Sequence, residues 1–355
     1  MIARLVSFLV AVLVVAPACA ADFDFPASAT PARTLVIGST TDIGIIRPVI
    51  VAWQKANPSV AIRYRELTTN ALFGEAKAAC EGDAPADDVV LSSAMDLQAK
   101  LVNDGCAVTV DRPGLNALPD FARWRSQLFG LTYEPAVIVY NRRAVAAHEA
   151  PTDHFALLDL LRQPGRFEGR IGTYDIEASG LGYLFATLDD QRSSTWGRLI
   201  EAMGRNHVRL YCCTQDILDR VADGRLTLGY NVLGSYALAE ARRKPDLAVA
   251  VPSDYTLVLT RAAFVPRQAA NRADAEAFLE FTQGPEGRRI LNEEALLFSP
   301  IDGEDQLFKA LDARQQEKRA IRPIGLGPAL IVGLDQMKRR LFLKQWRDSL
   351  GIGED

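Results

Sequence analysis

Short apolar runs at 34–38, 60–67 and 88–91 are each followed by a polar cluster and then by residues that are apolar at helical spacing, which predicts a βαβαβα order. The first helix is expected over 43–56, stopped by Pro58. The clusters Ser39-Thr40-Thr41-Asp42, Thr68-Thr69-Asn70 and Ser92-Ser93-Ala94-Met95-Asp96 fall at helix starts, where hydroxyls cap free N–H groups. Long apolar strands at 133–141 and 255–260 look able to pass between two lobes. Between them lies a second α/β set: a helix at 155–161, a strand at 170–173, the turn from Tyr174-Asp175 to Gly182, a strand at 207–211, a helix at 217–222, a strand at 226–230 and a helix at 236–243. The pattern predicts a discontinuous first lobe, 34–132 plus 255–355, and an inserted second lobe, 133–254, with a cleft between them.

Two stretches are expected to line that cleft, Tyr211-Cys212-Cys213-Thr214-Gln215-Asp216 and Gly229-Tyr230-Asn231-Val232-Leu233-Gly234-Ser235-Tyr236. Thr214 or Asp216 would cap the helix that follows the first. A hydroxyl at one helix start need only satisfy that helix. Several along one sheet edge point to a polar pocket, because parallel strands deliver their ends to the same side. Ser39, Thr40, Thr41, Ser92, Ser93, Thr214 and Asn231 are therefore expected to hydrogen bond a ligand, with Tyr174, Asp175 and Tyr230 as the second lobe's wall.

Composition limits the classes. The chain has 355 residues, 48% of them hydrophobic and 24% charged, with a formal net charge of -4, enough for a sizeable core and without a basic surplus for nucleic acid. Arg4, the apolar run 5–16 and Ala18-Cys19-Ala20 read as a secretory signal over 1–20. Lipid attachment at Cys19 is the alternative, which Pro17 fits poorly. The Pro- and Ala-rich segment that follows, 21–33, is expected to be an unstructured leader. No later segment has about eighteen uninterrupted apolar residues, so no transmembrane helix is expected and the product is periplasmic. A final helix over 329–350, basic at Lys338-Arg339-Arg340 and Lys344, either packs its apolar stripe on the first lobe or docks a membrane partner.

Catalysis is disfavoured: there is no P-loop, no His-Glu-x-x-His and no nucleophile elbow, and no cofactor is expected. His207 is five strand residues from Cys212, about 16 Å, too far to activate it. Besides Cys19 the cysteines are Cys80, Cys106, Cys212 and Cys213. In an oxidising compartment Cys80 and Cys106 are a plausible disulfide, and Cys212-Cys213 either closes a vicinal disulfide or stays as thiols facing the cleft, suited to a soft ligand.

Gly38-Ser39-Thr40-Thr41-Asp42, Leu91 to Leu97, Glu134-Pro135 with Tyr140-Asn141, Gly229-Tyr230-Asn231 and Phe278-Leu279-Glu280-Phe281 before Gly284-Pro285-Glu286-Gly287 together resemble the type 2 periplasmic solute-binding proteins, in the branch similar to ferric-iron and hexose-phosphate binders. The resemblance implies two lobes that close on a small solute and present it to an ABC permease or to a membrane histidine kinase. Ferric members carry adjacent tyrosines, whereas Tyr230 and Tyr236 are six apart, which puts iron in doubt. Asn103-Asp104-Gly105-Cys106 also looks similar to arsenite-sensing members, which makes Cys106 a metalloid thiol candidate and arsenite, or another small oxyanion, the favoured ligand.

Overall fold

The computed structural model describes residues 20–30, 33–311 and 320–353; the expected signal peptide, apart from Ala20, lies outside the described residues. β1 (Ala20–Phe25) and β2 (Arg33–Ser39) precede α1 (Ile43–Ala56), β3 (Val60–Leu67), α2 (Thr69–Glu81), β4 (Val89–Ser92) and α3 (Met95–Asn103). Then come α4 (Pro113–Asn116), β5 (Arg123–Trp124), β6 (Leu128–Gly130) and β7 (Glu134–Asn141). The central stretch holds α5 (His154–Leu161), β8 (Ile171–Tyr174), α6 (Gly180–Arg192), α7 (Trp196–Arg205), β9 (Arg209–Tyr211), α8 (Thr214–Ala222), β10 (Leu228–Leu233), α9 (Gly234–Arg243), β11 (Leu247–Ala250) and β12 (Thr256–Leu259). β13 (Ala262–Phe264), α10 (Arg272–Gln283), α11 (Pro285–Ile290), α12 (Gly303–Ala310), β14 (Ile321–Pro323) and α13 (Gln336–Leu350) follow.

Two sheets result, one per lobe. The first runs β1-β3-β2-β4-β13-β6-β5 and the second β14-β12-β7-β10-β8-β9, with β11 also on β7. β3, β2 and β4 are parallel, as right-handed βαβ crossovers require, so their carboxyl ends and the starts of α1, α2 and α3 share one edge. β10, β8 and β9 are parallel in the same way. β7 is buried along its whole length, in keeping with its unbroken apolar sequence.

The chain crosses between sheets at Thr132 and at Thr260-Arg261, side by side. Arg261 N donates to Thr132 Oγ1 at 2.8 Å and Leu131 N to the Arg261 carbonyl at 2.9 Å. The strand expected to return the chain to the first lobe, β12, instead pairs with β7 in the second sheet, and the return falls just after it.

Three expectations are corrected. The leader is not unstructured at its start: β1 pairs antiparallel with β3, from Ala20 opposite Leu67 to Phe25 opposite Ile62. Phe23 and Phe25 turn toward the core while Asp22 and Asp24 stay outside, the period of a half-buried edge strand. The final helix is split, because Asp335 caps α13 by accepting from Met337 N and Lys338 N at 3.1 Å, and Pro328–Leu334 before it forms a 3-10 turn. Nor does that helix pack on the first lobe. α13 lies on α7, with Trp346 stacked on Trp196 at 5.9 Å, whereas the Pro328–Leu334 turn packs on α3. The C-terminal segment thus straps both lobes, with Tyr183 Oη donating to the Gly333 carbonyl at 2.6 Å. Trp346→Ala removes a buried indole and should cost about 3 kcal/mol, read as a lowered urea midpoint. An unchanged midpoint would mean that α13 is not held by this contact.

Candidate functional site

A cleft of about 320 Å³ opens between the two sheets. On the first lobe its wall is the β2–α1 and β4–α3 turns, where hydroxyl residues follow one another in sequence. Successive residues leaving a strand face opposite ways, so only alternate hydroxyls reach the cleft. Thr40 and Ser93 line it, with Ser93 N donating to Thr40 Oγ1 at 3.0 Å and the two hydroxyls 3.3 Å apart. Ser39 and Ser92 turn inward as turn formers, accepting from Thr41 N and Ala94 N at 3.1 Å each. Thr41 is buried, its carbonyl accepting from Tyr64 Oη.

Thr68 and Thr69 at the start of α2 and Asp42 before α1, placed at helix starts by the sequence but not among the expected ligand contacts, also line the cleft, as do Glu66 and Arg261, which no local pattern marks. Glu66 accepts from Ile43 N at 2.7 Å at the mouth of α1, and burial raises its carboxyl above the usual range. Asp42 N donates across the cleft to Tyr236 Oη at 3.0 Å. Arg261 is 1% exposed beside the fully buried Glu134. Its Nε donates to Glu134 Oε1 at 2.8 Å and its Nη2 to Oε2 at 3.3 Å, while Nη1 points toward the Thr40 carbonyl at 3.5 Å. Thr132 Oγ1 and Ser235 Oγ also donate to Glu134. Burial opposes the guanidinium charge, but Glu134 more than offsets it, and Arg261 stays protonated. Only the alternation of hydroxyls was legible locally; Glu134 and Arg261 lie 127 positions apart.

The second lobe supplies Tyr174, Ser179, Cys212, Cys213, Thr214, Leu233 and Tyr236. Neither Thr214 nor Asp216 caps α8. Cys213 occupies the cap position without a side-chain hydrogen bond, Thr214 Oγ1 pairs with Tyr174 Oη, and Asp216 is bound by Arg220 Nη1 at 2.7 Å. The first N–H groups of α8 therefore have no partner among the described residues.

The remaining expected site residues lie elsewhere. Asp175 Oδ1 accepts from Glu177 N and Ala178 N at 2.9 and 3.2 Å and shapes its own turn. Tyr230 and Asn231 face away from the cleft onto buried Asp189: Tyr230 Oη donates to Oδ2 at 2.9 Å, Asn231 Nδ2 donates to the same atom at 2.5 Å, and Tyr255 Oη donates to Oδ1 at 2.8 Å. A bulge between Gly229 and Val232, with Asn231 at φ 58°, breaks the strand alternation and puts both side chains on that carboxylate. Cys106 offers no thiol. It is bonded to Cys80 and buried, at the far end of α3, about 13 Å of helix from the cleft. Cys212 and Cys213 are joined in a vicinal disulfide on the cleft wall.

α1, α2, α3, α6, α8 and α9 all begin among the residues that line this space. Each contributes a partial positive charge there, a field that favours an anion. Asp42 and Glu66 add acceptors on one side, suited to hydroxyls. Bonds already bridge the lobes at the rim: Gly180 N donates to Thr69 Oγ1 at 2.8 Å and Asn70 Nδ2 to the Ala178 carbonyl at 2.9 Å.

Two α/β lobes joined by adjacent crossovers around a polar cleft define a solute-binding protein. The chain belongs to the bacterial extracellular solute-binding protein family, whose model matches residues 35–294. It is similar to the substrate-binding protein of an ABC transporter from Agrobacterium tumefaciens, with 36% identity and a TM-score of 0.86 over 94% of this chain and 100% of that one. More distant likenesses show the fold alone. Iron-bound HitA from Pseudomonas aeruginosa has 15% identity and a TM-score of 0.64 over 89% and 99% of the two chains. AfuA from Actinobacillus pleuropneumoniae, with fructose-6-phosphate bound, has 15% identity and a TM-score of 0.67 over 91% and 100%. Comparison with curated proteins yields no match. No described helix is long and apolar enough to cross a membrane.

Proposed function

We propose that the protein is the periplasmic, solute-capturing component of an ABC importer and that its solute is a small phosphorylated polyol or related oxyanion. The convergence of helix starts on a cleft that also holds Arg261 carries this reading. Nη1 of Arg261 and the unpartnered N–H groups of α8 face the phosphate, and Thr40, Ser93 and Thr214 add hydroxyls. Asp42 and Glu66 accept hydrogen bonds from the polyol. Closure about Thr132 and Thr260-Arg261 buries the solute. The protein binds and delivers; it does not transform. A membrane histidine kinase reading the same closure is the alternative partner.

Two other ligands fit less well. Arsenite captured by Cys106 is opposed by the Cys80–Cys106 bond. Ferric iron would take Tyr174 and Tyr236 as phenolates, yet burial pushes both hydroxyls far above their usual range, and a hard cation would have to displace both protons. Isothermal titration of the ligand-free protein with fructose 6-phosphate, glucose 6-phosphate, inorganic phosphate and ferric citrate separates these cases. Micromolar or tighter binding of a phosphate ester, indifferent to EDTA, is expected. Binding of iron without any affinity for a phosphate compound would reject the proposal.

A further inference from the structure

The Cys212–Cys213 bond does little for the fold. Cys80–Cys106 closes a loop between residues 26 apart and so restricts the unfolded chain, whereas a bridge between sequence neighbours closes almost none. The two bonds also differ in access. Cys106 is buried, while Cys212 and Cys213 are half-exposed on the wall of an open cleft.

Asp216, one helical turn on, completes a three-donor group. Cys212 Sγ lies 3.7 Å from Asp216 Oδ2, and the two sulfurs and a carboxylate oxygen of Asp216 all fall within 4.8 Å of one another. Arg220 holds Asp216 Oδ1 at 2.7 Å and itself lies over the Tyr211 ring at 4.6 Å, so Oδ2 is the oxygen left for the site. Cys213 sits at the N-cap of α8 without a side-chain hydrogen bond, so its sulfur is not engaged by the helix start.

We propose that reduction of the Cys212–Cys213 bond turns this cleft wall into a site for one soft divalent cation of the Cd2+ or Zn2+ type, held by Cys212 Sγ, Cys213 Sγ and Asp216 Oδ2. The electrons come from a dithiol. One of its thiolates attacks a cysteine sulfur and breaks the Sγ–Sγ bond; its second thiol then closes the reductant's own disulfide and leaves two cysteine thiols. Metal binding releases their two protons. Two sulfurs and one oxygen match a borderline-soft cation and leave one position of a tetrahedron for water or another donor. The site stands on this donor geometry and does not depend on which solute the cleft takes.

The test uses the purified full chain, treated with dithiothreitol without denaturant, freed of reductant under anaerobic conditions and titrated with cadmium chloride alone in a non-coordinating buffer. Two thiols per chain should be released and map to 212 and 213, and one equivalent of cadmium should then produce thiolate-to-cadmium absorbance in the ultraviolet. The absorbance should be absent before reduction and absent from Cys212→Ser/Cys213→Ser, and Asp216→Asn should weaken binding roughly tenfold or more. If the double variant does not fold, alkylating the reduced wild-type protein at these thiols must abolish the absorbance instead. Failure to release the thiols, free thiols without cadmium binding, or cadmium binding that survives the double substitution or alkylation would overturn the proposal. Phosphate-ester titration of the oxidised protein is unaffected by any of these outcomes, so the two readings fail separately.

Discussion

Arg261→Met is expected to destabilise the protein by about 3–5 kcal/mol, one of the largest effects of any single substitution here. Glu134 is completely buried and would be left with only Thr132 Oγ1 and Ser235 Oγ as side-chain partners. The penalty comes from stranding one charge, not from the worth of the pair. Removing both partners, as Arg261→Met/Glu134→Gln, should therefore restore most of the loss, and urea midpoints of the two single variants and the double variant measure this coupling. Strict additivity would show that the two side chains do not act as a unit. Arg261→Lys separates folding from binding. It keeps a cation beside Glu134 but loses the planar fork, so Nη1 no longer reaches the cleft. Its stability should lie between wild type and Arg261→Met, with phosphate-ester affinity down by roughly 100-fold, as for the loss of a charged hydrogen bond worth about 3 kcal/mol.

Asp96→Asn should have the opposite sign. Asp96 opens α3, where the helix dipole favours an anion, but it is 2% exposed and its Oδ1 has no hydrogen-bond partner. Burial wins and pushes its pKa up to about 7, against the backbone N–H groups of Leu97 and Asp96 and the positive charge of Arg339 on α13. A carboxyl raised in the folded state binds its proton more tightly there than in the unfolded chain. This group's contribution is therefore most favourable below the unfolded value of about 3.9, falls as pH rises toward 7, and is flat above that. The neutral amide removes this dependence. At pH 8 the variant should be more stable than wild type by on the order of 3 kcal/mol, while at pH 4 the two should nearly coincide. Denaturation midpoints at both pH values decide it; parallel profiles would mean that Asp96 is solvated or paired in solution.

How far local pattern reached is visible at particular residues. The order of strands and helices up to α3, the long strand β7 and the position of α1 follow from runs and periods that a window of fifteen residues contains. β1 was also legible, since Phe23 and Phe25 alternate with Asp22 and Asp24, but the Pro and Ala content of the segment after it hid that alternation. The polar, hydroxyl-rich character of the cleft was legible too, because helix starts at one sheet edge need caps whatever the tertiary contacts.

Periodicity is written in the local sequence: two α/β sets, long crossing strands and hydroxyls at the turns. The tertiary structure decided the phase of each turn, so that Thr40 and Ser93 face the solute space while Ser39 and Ser92 do not. It decided that a bulge would send Tyr230 and Asn231 to Asp189, and that Tyr236 would take the cleft position instead. It also decided that α13 would lie on α7 and that Glu134 would meet Arg261. The reason is range. Period is a property of neighbouring residues and is written in them, whereas phase and partner are set by which surfaces bury one another, often across more than a hundred residues of chain.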